Sequence, residues 1–267
     1  MPHHATVVGL TDVGQTRSRN EDSLSLLPEL GIAVVADGMG GHPGGDVASR
    51  VAAETATRTL GEDLVDGVGS AEDPASRLGE VMRRSVAEAH KAIRVAGSED
   101  PELVGMGTTI TALAVDRETD RFVLGHVGDS RAYLFRDGTL TQLTRDDTWV
   151  QERVEAKQLT DDQARAHPFA HLLTQCLGLE DTPVPHITHG SVEVGDTYLL
   201  CSDGLVGMLD DETLAGILSR ELGANDASTG AAERQPALEA LVNAANEAGG
   251  HDNITAVLVS IETAAEE

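Results

Sequence analysis

The sequence is poor in cysteine and has no long apolar segment. Its two cysteines, Cys176 and Cys201, are too few for a disulfide framework, and this scarcity is typical of a reducing compartment. The longest apolar run covers residues 30–36, whereas a membrane-spanning helix needs about 20 residues. Residues 1–10 lack the basic start and the apolar stretch of a signal peptide. These absences predict a cytoplasmic protein without a membrane segment.

Positive charge is also scarce. The chain has 19 Lys and Arg residues against 45 Asp and Glu residues, which gives a formal net charge of −26. Such a charge repels the phosphates of nucleic acids and of anionic membranes. We therefore expect no nucleic-acid partner.

Aromatic residues make up only 2% of the 267 residues, so Val, Leu, Ile and Ala must build the core. Short runs of these residues and Thr predict strands at 6–10, 31–36, 108–115, 122–127, 131–135, 197–201 and 254–261. Apolar residues at three- and four-residue spacing predict two pairs of helices, 46–60 with 75–96 and 211–222 with 235–248. Because strands and helices come in blocks, an α+β fold is favoured over a doubly wound parallel sheet.

The connections between these elements also carry signals. Asp137-Gly138 predicts a hairpin between two strands. Residues 145–177 are interpreted as short helical pieces, too polar to be core, inserted between strands, and residues 225–235 as a polar loop. No linker divides the chain, so one domain over residues 1–267 is expected.

Four aspartates stand at the ends of predicted strands. Asp37, Asp129 and Asp203 each follow an apolar run, and Asp252 with Asn253 precedes the last strand. A single Asp-Gly after a strand is usually a turn, but four such positions at neighbouring strand ends would bring several carboxylates together. Close carboxylates repel one another unless a cation neutralises them. All-oxygen ligands favour magnesium, manganese or calcium over zinc.

Several competing motifs are absent. The glycine-rich segment 38–43 has Pro43 where a dinucleotide fingerprint needs its third glycine, and neither lysine follows a glycine as in a P-loop. A cysteine-dependent phosphatase needs an arginine shortly after its nucleophile, but Thr182 and Gly207 stand at the corresponding positions. His186 and His189 show no metal-ligand pattern and are interpreted as a solvated strand face.

Six motifs occur in the order and spacing of a known family. They are Thr11-Asp12-Val13-Gly14 with Arg17 to Asp22, Ala36 to His42, Gly107-Thr108-Thr109, Val127 to Arg131, Cys201 to Leu205, and His251-Asp252-Asn253. Together they resemble the metal-dependent serine/threonine protein phosphatases of the protein phosphatase 2C family, bacterial type. The resemblance extends from about residue 6 to residue 261.

The resemblance implies a four-layer α/β/β/α sandwich, in which two antiparallel sheets carry a helix pair on each outer face. It also implies two Mn²⁺ or Mg²⁺ ions that share a bridging water. Asp37 would bridge both ions, the Gly38 carbonyl would bind one of them, and Asp203 and Asp252 would complete the pair. Two ions about 3.5–4 Å apart lower the pKa of a shared water and stabilise the charge that develops on a phosphoryl group.

Further roles follow from the same resemblance. Glu21 and Asp22 would hold metal-bound waters, and Asp129 would contribute to a third, weaker metal site that bacterial members often carry. Arg17 matches the family's phosphate-binding arginine, whose fork suits bidentate contacts with phosphate oxygens. Arg19 would face the other way on a strand and would be only a surface charge.

One departure concerns the proton that the leaving group needs. Many animal and plant members have a histidine where Met39 stands, and that histidine is thought to act as the general acid. Met39 cannot donate a proton, although bacterial members commonly share it. A metal-bound water or His42 then remains as the acid. The alternative for His42 is that it caps the helix that starts near Gly45.

Residues 145–177 correspond to the family's flap, its most variable part, which lies beside the active site and contacts protein substrates. In bacterial relatives a small polar residue near the third metal matches His171. The imidazole of His171 would reach that ion or the leaving group and would titrate near neutral pH. The alternative is that His171 is a solvated flap residue.

Two functions stay open at this point. The favoured one is a signalling enzyme that hydrolyses phosphoserine and phosphothreonine in proteins, opposing a serine/threonine kinase system. The other is a non-catalytic phosphoprotein-binding or metal-sensing module on the same fold. The joint presence of Asp37, Asp129, Asp203 and Asp252 favours the enzyme.

Overall fold

The computed structural model describes residues 3–39, 44–65, 74–223 and 230–263. Within these ranges the chain forms eleven strands and seven α-helices, numbered here in chain order. The strands build two sheets in which each pair is antiparallel. Helices cover the outer face of each sheet. The predicted α+β sandwich of four layers is therefore confirmed.

The first sheet has five strands in the order β1-β11-β10-β7-β8. The register of β1 on β11 places Asp12 opposite Ile254. The loop after β1 and the loop before β11 therefore lie at the same end of this sheet, where these two strands end and begin. The strands are β1 His3–Asp12, β7 Arg131–Arg136, β8 Thr139–Gln142, β10 Thr197–Cys201 and β11 Ile254–Thr263.

The second sheet has the order β2-β3-β5-β6-β9, and a short strand, β4, pairs with β3. The register of β2 on β3 places Asp22 directly opposite Asp37. The strands are β2 Asp22–Leu27, β3 Ile32–Met39, β4 Gly107–Thr108, β5 Ile110–Asp116, β6 Arg121–Val127 and β9 His186–Ser191.

Each sheet carries one pair of long helices. Helices α1 Gly45–Val65 and α2 Pro74–Glu99 pack on the second sheet, and α6 Asp211–Leu222 and α7 Ala231–Glu247 pack on the first. Small side chains at four-residue spacing, Ala48, Ala52 and Ala56, are fully buried on α1. Because they form one helix face, they let α1 approach strand β3 closely.

Three short helices lie in the connections, α3 Trp149–Glu155, α4 Asp161–Arg165 and α5 Asp203–Val206. Among the helices of the described ranges, none is both long enough and apolar enough to span a bilayer.

The hydrophobic core has three layers, one between the sheets and one under each helix pair. Most of its side chains are Val, Leu, Ile and Ala, as the low aromatic content predicts. Between the sheets, the rings of Phe122 and Tyr198 lie 5.0 Å apart, centroid to centroid.

The sequence pattern misses three strands, β2, β8 and β9. All three lie at sheet edges, where strands are only partly buried and carry polar side chains. The predicted strand 108–115 is divided into β4 and β5 at Thr109, because the Thr109 N–H leaves the ladder and donates to the Asp37 carbonyl.

Two interpretations of the connections need correction. Residues 145–177 are not wholly outside the core, because Asp147 and Thr148 are buried and Leu177 packs in the core beneath α1 and α2. The predicted loop 225–235 is helical from Ala231 onward, where α7 begins; residues 224–229 lie outside the described ranges.

The hairpin prediction at Asp137-Gly138 is confirmed. These two residues join β7 to β8, and both have positive φ, 50° and 74°. A two-residue turn with both central residues in that region matches the right-handed twist of the strands it connects.

Candidate metal centre and active site

Five aspartates from different elements meet at one end of the sandwich: Asp22, Asp37, Asp129, Asp203 and Asp252. Burial, and after it the charges of the other four, raise the pKa of Asp37 well above its ordinary value. Four of these residues are the aspartates that the sequence places at strand ends. The structure brings these four residues together, as the strand pattern predicts.

Asp22 is a buried carboxylate held in a fixed orientation. Its Oδ2 accepts hydrogen bonds from Ser202 Oγ and Thr255 Oγ1, each at 2.7 Å. Its Oδ1 is buried and finds no hydrogen-bond partner in the part of the chain that the structure describes. Burial raises the pKa of Asp22 to about 7, although the two hydroxyl hydrogen bonds lower it.

Asp37 is fixed through its backbone, which leaves its carboxylate for the site. Its N–H donates to Thr109 Oγ1 at 3.0 Å, and its carbonyl accepts from Thr108 Oγ1 at 2.9 Å. The next residue has to be glycine, because a Cβ on Gly38 would lie 2.2 Å from the Gly45 carbonyl oxygen at the start of α1. The close approach of this helix therefore explains the Asp-Gly pair.

The loops that carry Asp203 and Asp252 also approach each other closely. Asp203 begins α5 directly after β10, and Asp252 precedes β11. A Cβ on Gly204 would lie 2.0 Å from the Asn253 carbonyl oxygen, so glycine lets the two loops touch. The Asp203 Oδ1 is buried and has no hydrogen-bond partner within the described residues.

Asn253 connects three loops around the site, a role that the sequence analysis did not assign. Its Oδ1 accepts from the Glu21 N–H at 2.8 Å, and its Nδ2 donates to the carbonyls of Val13 and Arg19. The only sequence signal for this role is its place directly after Asp252. Asn253 thereby holds the loop that carries Glu21 against the loop that carries Asp252.

Arg17 reaches the site from the loop after β1. Its Nη2 donates to Asp252 Oδ2 at 2.7 Å, and its side chain remains half exposed. Arg17 and Arg19 do not lie on a strand, so the argument that alternation on a strand separates them is wrong. Arg19 is nevertheless exposed, and only its carbonyl is tied to Asn253.

His171, from the flap of residues 145–177, approaches the aspartates. Its Nδ1 lies 3.4 Å from Asp203 Oδ2, and ligand atoms of Asp129, His171 and Asp203 all lie within 4.8 Å of one another. The hydrogen bond to Asp203 raises the pKa of His171. Burial, and then the charge of Asp203, raise the pKa of Asp129 to about 8. His171 is largely exposed yet in contact with the site. His42, the other candidate acid, lies outside the described residues.

The chemistry of this donor set fits divalent cations. Asp22 and Asp203 each have a buried carboxylate oxygen that finds no hydrogen-bond partner within the described residues, and such an oxygen is costly unless a ligand satisfies it. The raised pKa values of Asp22, Asp37 and Asp129 have the same causes, burial first and then the negative charge of the neighbouring aspartates. A hard cation with oxygen ligands relieves both costs.

The two thiols lie apart from this chemistry. Cys176 and Cys201 are buried and form no disulfide. Burial raises their pKa values to about 11 and about 12, so both are protonated at neutral pH. A nucleophilic thiolate is therefore not formed at either position.

Comparison with known proteins agrees with the motifs and the geometry. Residues 15–253 match the model of the family described as Protein phosphatase 2C. The chain belongs to the protein phosphatase 2C family.

Two curated relatives in this family have similar sequences. The serine/threonine protein phosphatase PstP of Mycobacterium tuberculosis is 36% identical over 251 residues, which cover 94% of this chain and 44% of PstP. The protein phosphatase PhpP of Streptococcus pneumoniae is 36% identical over 255 residues, which cover 94% of this chain and 96% of PhpP. The chain thus spans less than half of PstP and nearly all of PhpP.

Solved structures of serine/threonine phosphatases show the same fold. The M. tuberculosis phosphatase PstP/Ppp superposes with a TM-score of 0.80 at 34% identity, covering 97% of this chain and 99% of that one. The PstP catalytic domain in complex with two manganese ions gives a TM-score of 0.78 at 33% identity, covering 98% and 100%.

Proposed function

We propose that this protein phosphatase 2C chain hydrolyses phosphoserine and phosphothreonine in proteins with the help of two divalent cations. The observation that carries the proposal is the convergence of five aspartates, two of which have a buried carboxylate oxygen with no hydrogen-bond partner among the described residues. The complex of the similar PstP catalytic domain with two manganese ions supports Mn²⁺ as one suitable metal, and Mg²⁺ is the other that an all-oxygen set accepts.

The residues that would hold the pair are Asp37, the Gly38 carbonyl, Asp203 and Asp252. When bound, the two ions supply a water of lowered pKa and neutralise the charge of a phosphoryl group. The chain fixes these ligands through backbone hydrogen bonds and close glycine contacts. Little reorganisation is then needed on binding, which is the condition for electrostatic stabilisation of a transition state.

Further side chains would orient water and support an additional ion. Glu21 and Asp22 would hold water molecules bound to the two ions. Hydrogen bonds from Ser202 and Thr255 orient Asp22 for this role. Asp129 would bind a third ion together with Asp203, on the side of the cluster that the flap covers.

Arg17 would bind the phosphate of the substrate. Its contact with Asp252 fixes one guanidinium nitrogen and leaves other N–H donors of the planar fork for phosphate oxygens. Because Asp252 is itself a proposed ligand, the same ion pair aligns the phosphate site with the metal pair.

His171 would donate the proton to the leaving oxygen, a role that Met39 cannot fill. The support for this assignment is its position, with Nδ1 3.4 Å from Asp203 Oδ2, and the raised pKa that this hydrogen bond causes. A raised pKa keeps the imidazolium form, the proton donor, populated nearer neutral pH.

We further propose a cytoplasmic, signalling phosphatase whose substrates carry the marks of a serine/threonine kinase. The two reduced, buried cysteines support the compartment. The domain would comprise residues 1–267, with residues 145–177 as the flap that contacts protein substrates. Exposed apolar side chains, Phe169 and Leu172, flank His171 and support that contact.

A phosphate-release assay on phosphothreonine peptides tests the function. We expect release in millimolar manganese or magnesium and none in EDTA. Tight binding of the peptides without release, under any of these metals, would favour the non-catalytic module instead. Release at full rate in EDTA would contradict both the metal centre and the proposed mechanism.

A further inference from the structure

A second polar cluster lies behind the flap, outside the aspartate site. Asp147, near the start of the flap, is 1% exposed. Its Oδ1 lies 2.8 Å from His186 Nε2 and 3.5 Å from Arg145 Nη1. A buried carboxylate is retained only when its oxygens are paired. Since His186 faces an acceptor, its Nε2 carries the proton that is donated to Asp147.

Asp147 binds both backbone groups of Gly128, the residue directly before Asp129. The Asp147 N–H donates to the Gly128 carbonyl at 2.7 Å, and Asp147 Oδ2 accepts from the Gly128 N–H at 3.1 Å. Gly128 has a φ of 109°, and a Cβ there would lie 2.6 Å from the side chain of Thr109. Asp147 thus fixes a turn that only glycine can adopt and that sets the position of Asp129.

Asp147 also closes the base of the flap. Its carbonyl accepts from the Thr174 N–H at 2.8 Å, and the Trp149 N–H donates to the Leu172 carbonyl at 2.8 Å. The outgoing and returning segments of the flap are therefore paired at this point. Leu172 directly follows His171, so the same pairing determines where His171 lies.

From strand β6, His126 holds Arg145, the first residue of the flap. Its Nε2 lies 3.1 Å from the Arg145 carbonyl, and its Nδ1 lies 3.0 Å from Thr111 Oγ1. Burial lowers the pKa of His126, so the ring is neutral at pH 7. The carbonyl requires a donor, which places the single ring proton on Nε2. His186 is paired with His126 across β6 and β9, so two histidines hold the flap base from neighbouring strands.

We infer that the Asp147–His186 pair positions the flap and the Asp129 turn together, and thereby sets the fit of a phosphopeptide against the flap. This inference rests on the proposed function. The pair contacts neither Asp37 nor Asp252 in any of the hydrogen bonds described above, so its effect should fall on the flap side of the site. The interpretation of His186 as part of a solvated strand face is incomplete, because its side chain is 39% exposed but its ring is also paired with the buried Asp147.

Strand β9 offers a matched control. His189 lies on the same strand three residues from His186 and is exposed, as its interpretation as part of a solvated face requires. His186→Ala should loosen the flap base, His189→Ala should not, and His186→Gln, which keeps an N–H donor for Asp147, should restore most of the wild-type behaviour.

Amide hydrogen exchange measures the positioning without any reference to catalysis. In His186→Ala, the amides of Asp147, Trp149 and Thr174 should exchange roughly tenfold faster than in wild type, since local opening limits their exchange. The amide of Leu200, in the central strand β10, should stay unchanged and thus report an intact fold. Equal exchange of these amides in wild type and His186→Ala would overturn the inference. If His186→Ala does not fold, the same amides should exchange faster in Asp147→Asn than in His186→Gln, and equal exchange in those two variants would overturn the inference.

Kinetics then connect the positioning to substrate choice. For a phosphothreonine peptide, His186→Ala should raise KM about fivefold and also lower kcat, because binding to the flap weakens and His171, the proposed proton donor, is no longer held in position, whereas the metal pair is unaffected. A small aryl phosphate, which does not reach the flap and has a good leaving group that needs no proton donor, should show neither change. Equal losses with both substrates would contradict the inference. If the wild-type protein has no phosphatase activity, the proposed function is contradicted but the positioning role of the Asp147–His186 pair is not. Amide exchange tests that role without reference to catalysis.

Discussion

Asp22 and Asp37 lie directly opposite one another on the paired strands β2 and β3. Like charges at opposed positions of an antiparallel pair destabilise a sheet, and here Asp22 is buried and Asp37 is half-buried. Ser202 and Thr255 nevertheless donate hydrogen bonds that hold Asp22 in place. An arrangement that is costly by itself and carefully fixed is typical of a metal centre.

This arrangement predicts an unusual pH dependence of stability in EDTA. The pKa of Asp22 is raised to about 7 and that of Asp129 to about 8, and the pKa of Asp37 is raised as well. Between about pH 4 and pH 8 the folded chain therefore holds protons that the unfolded chain releases. Stability must fall as pH rises through this window. We expect the melting temperature in EDTA to drop by about 5 °C or more between pH 5 and pH 8.

Manganese should reverse this trend. A cation that binds only the folded, deprotonated cluster stabilises it by RT ln(1 + [L]/Kd), and its affinity grows as the carboxylates lose protons. Asp22→Asn serves as the control and should show a smaller drop in EDTA. A melting temperature that is independent of pH in EDTA, or unmoved by millimolar manganese, would show that the carboxylates do not form one charged cluster.

Arg17→Ala should raise KM for phosphothreonine peptides by about tenfold and lower kcat less, because a phosphate contact made equally in ground and transition states acts on binding. Steady-state kinetics provide the measurement. Arg19→Ala is the matched control, since Arg19 is exposed in the same loop. If both substitutions changed KM equally, overall surface charge rather than a specific contact would be responsible.

His171→Ala should alter the pH profile of kcat for phosphopeptides. The hydrogen bond to Asp203 raises the pKa of His171, so a proton donor is lost only as pH rises through that raised value. The kcat of the wild type should therefore decline as the pH rises through this pKa. The kcat of His171→Ala should be lower at acidic pH and should not show this decline. An unchanged profile together with an unchanged manganese dependence would remove His171 from the reaction.

Thiol chemistry should leave the reaction untouched. Both cysteines are buried, with pKa values raised to about 11 and about 12. Native protein treated with iodoacetamide should keep its activity, and Cys176→Ala should keep kcat within about twofold, since no thiolate takes part. Loss of activity at an unchanged manganese content would point to a role for a cysteine.

The sequence predicts the buried strands well because each is a continuous apolar run, and it predicts Asp37, Asp129, Asp203 and Asp252 because each stands where such a run meets a loop. It does not predict edge strands such as β9, where partial exposure removes the apolar pattern. The resemblance supplies roles for Arg17, Glu21 and Asp22, which no local pattern indicates.

What the sequence cannot show is which distant residues satisfy a buried group. Ser202 and Thr255 are 180 and 233 positions from the Asp22 that they hold. Asp147 and His186 are 39 positions apart, and neither has a local pattern that marks it. Such partners follow from the need to pair a buried carboxylate, and that need becomes visible only when burial is known.

The most direct measurement is the hydrolysis of a phosphothreonine peptide by wild type and Asp37→Asn, each with its manganese content determined by equilibrium dialysis. Asp37 is a proposed ligand of the ion pair, so Asn should lower kcat by roughly a thousandfold or more and reduce the number of bound ions, since both nucleophile and charge stabilisation would depend on the pair. Asp37→Asn should remain folded and, in EDTA, melt no lower than wild type, because one of the repelling charges is gone. Turnover by folded Asp37→Asn at a rate near that of wild type, or by wild type stripped of manganese and magnesium, would contradict hydrolysis at a two-metal centre.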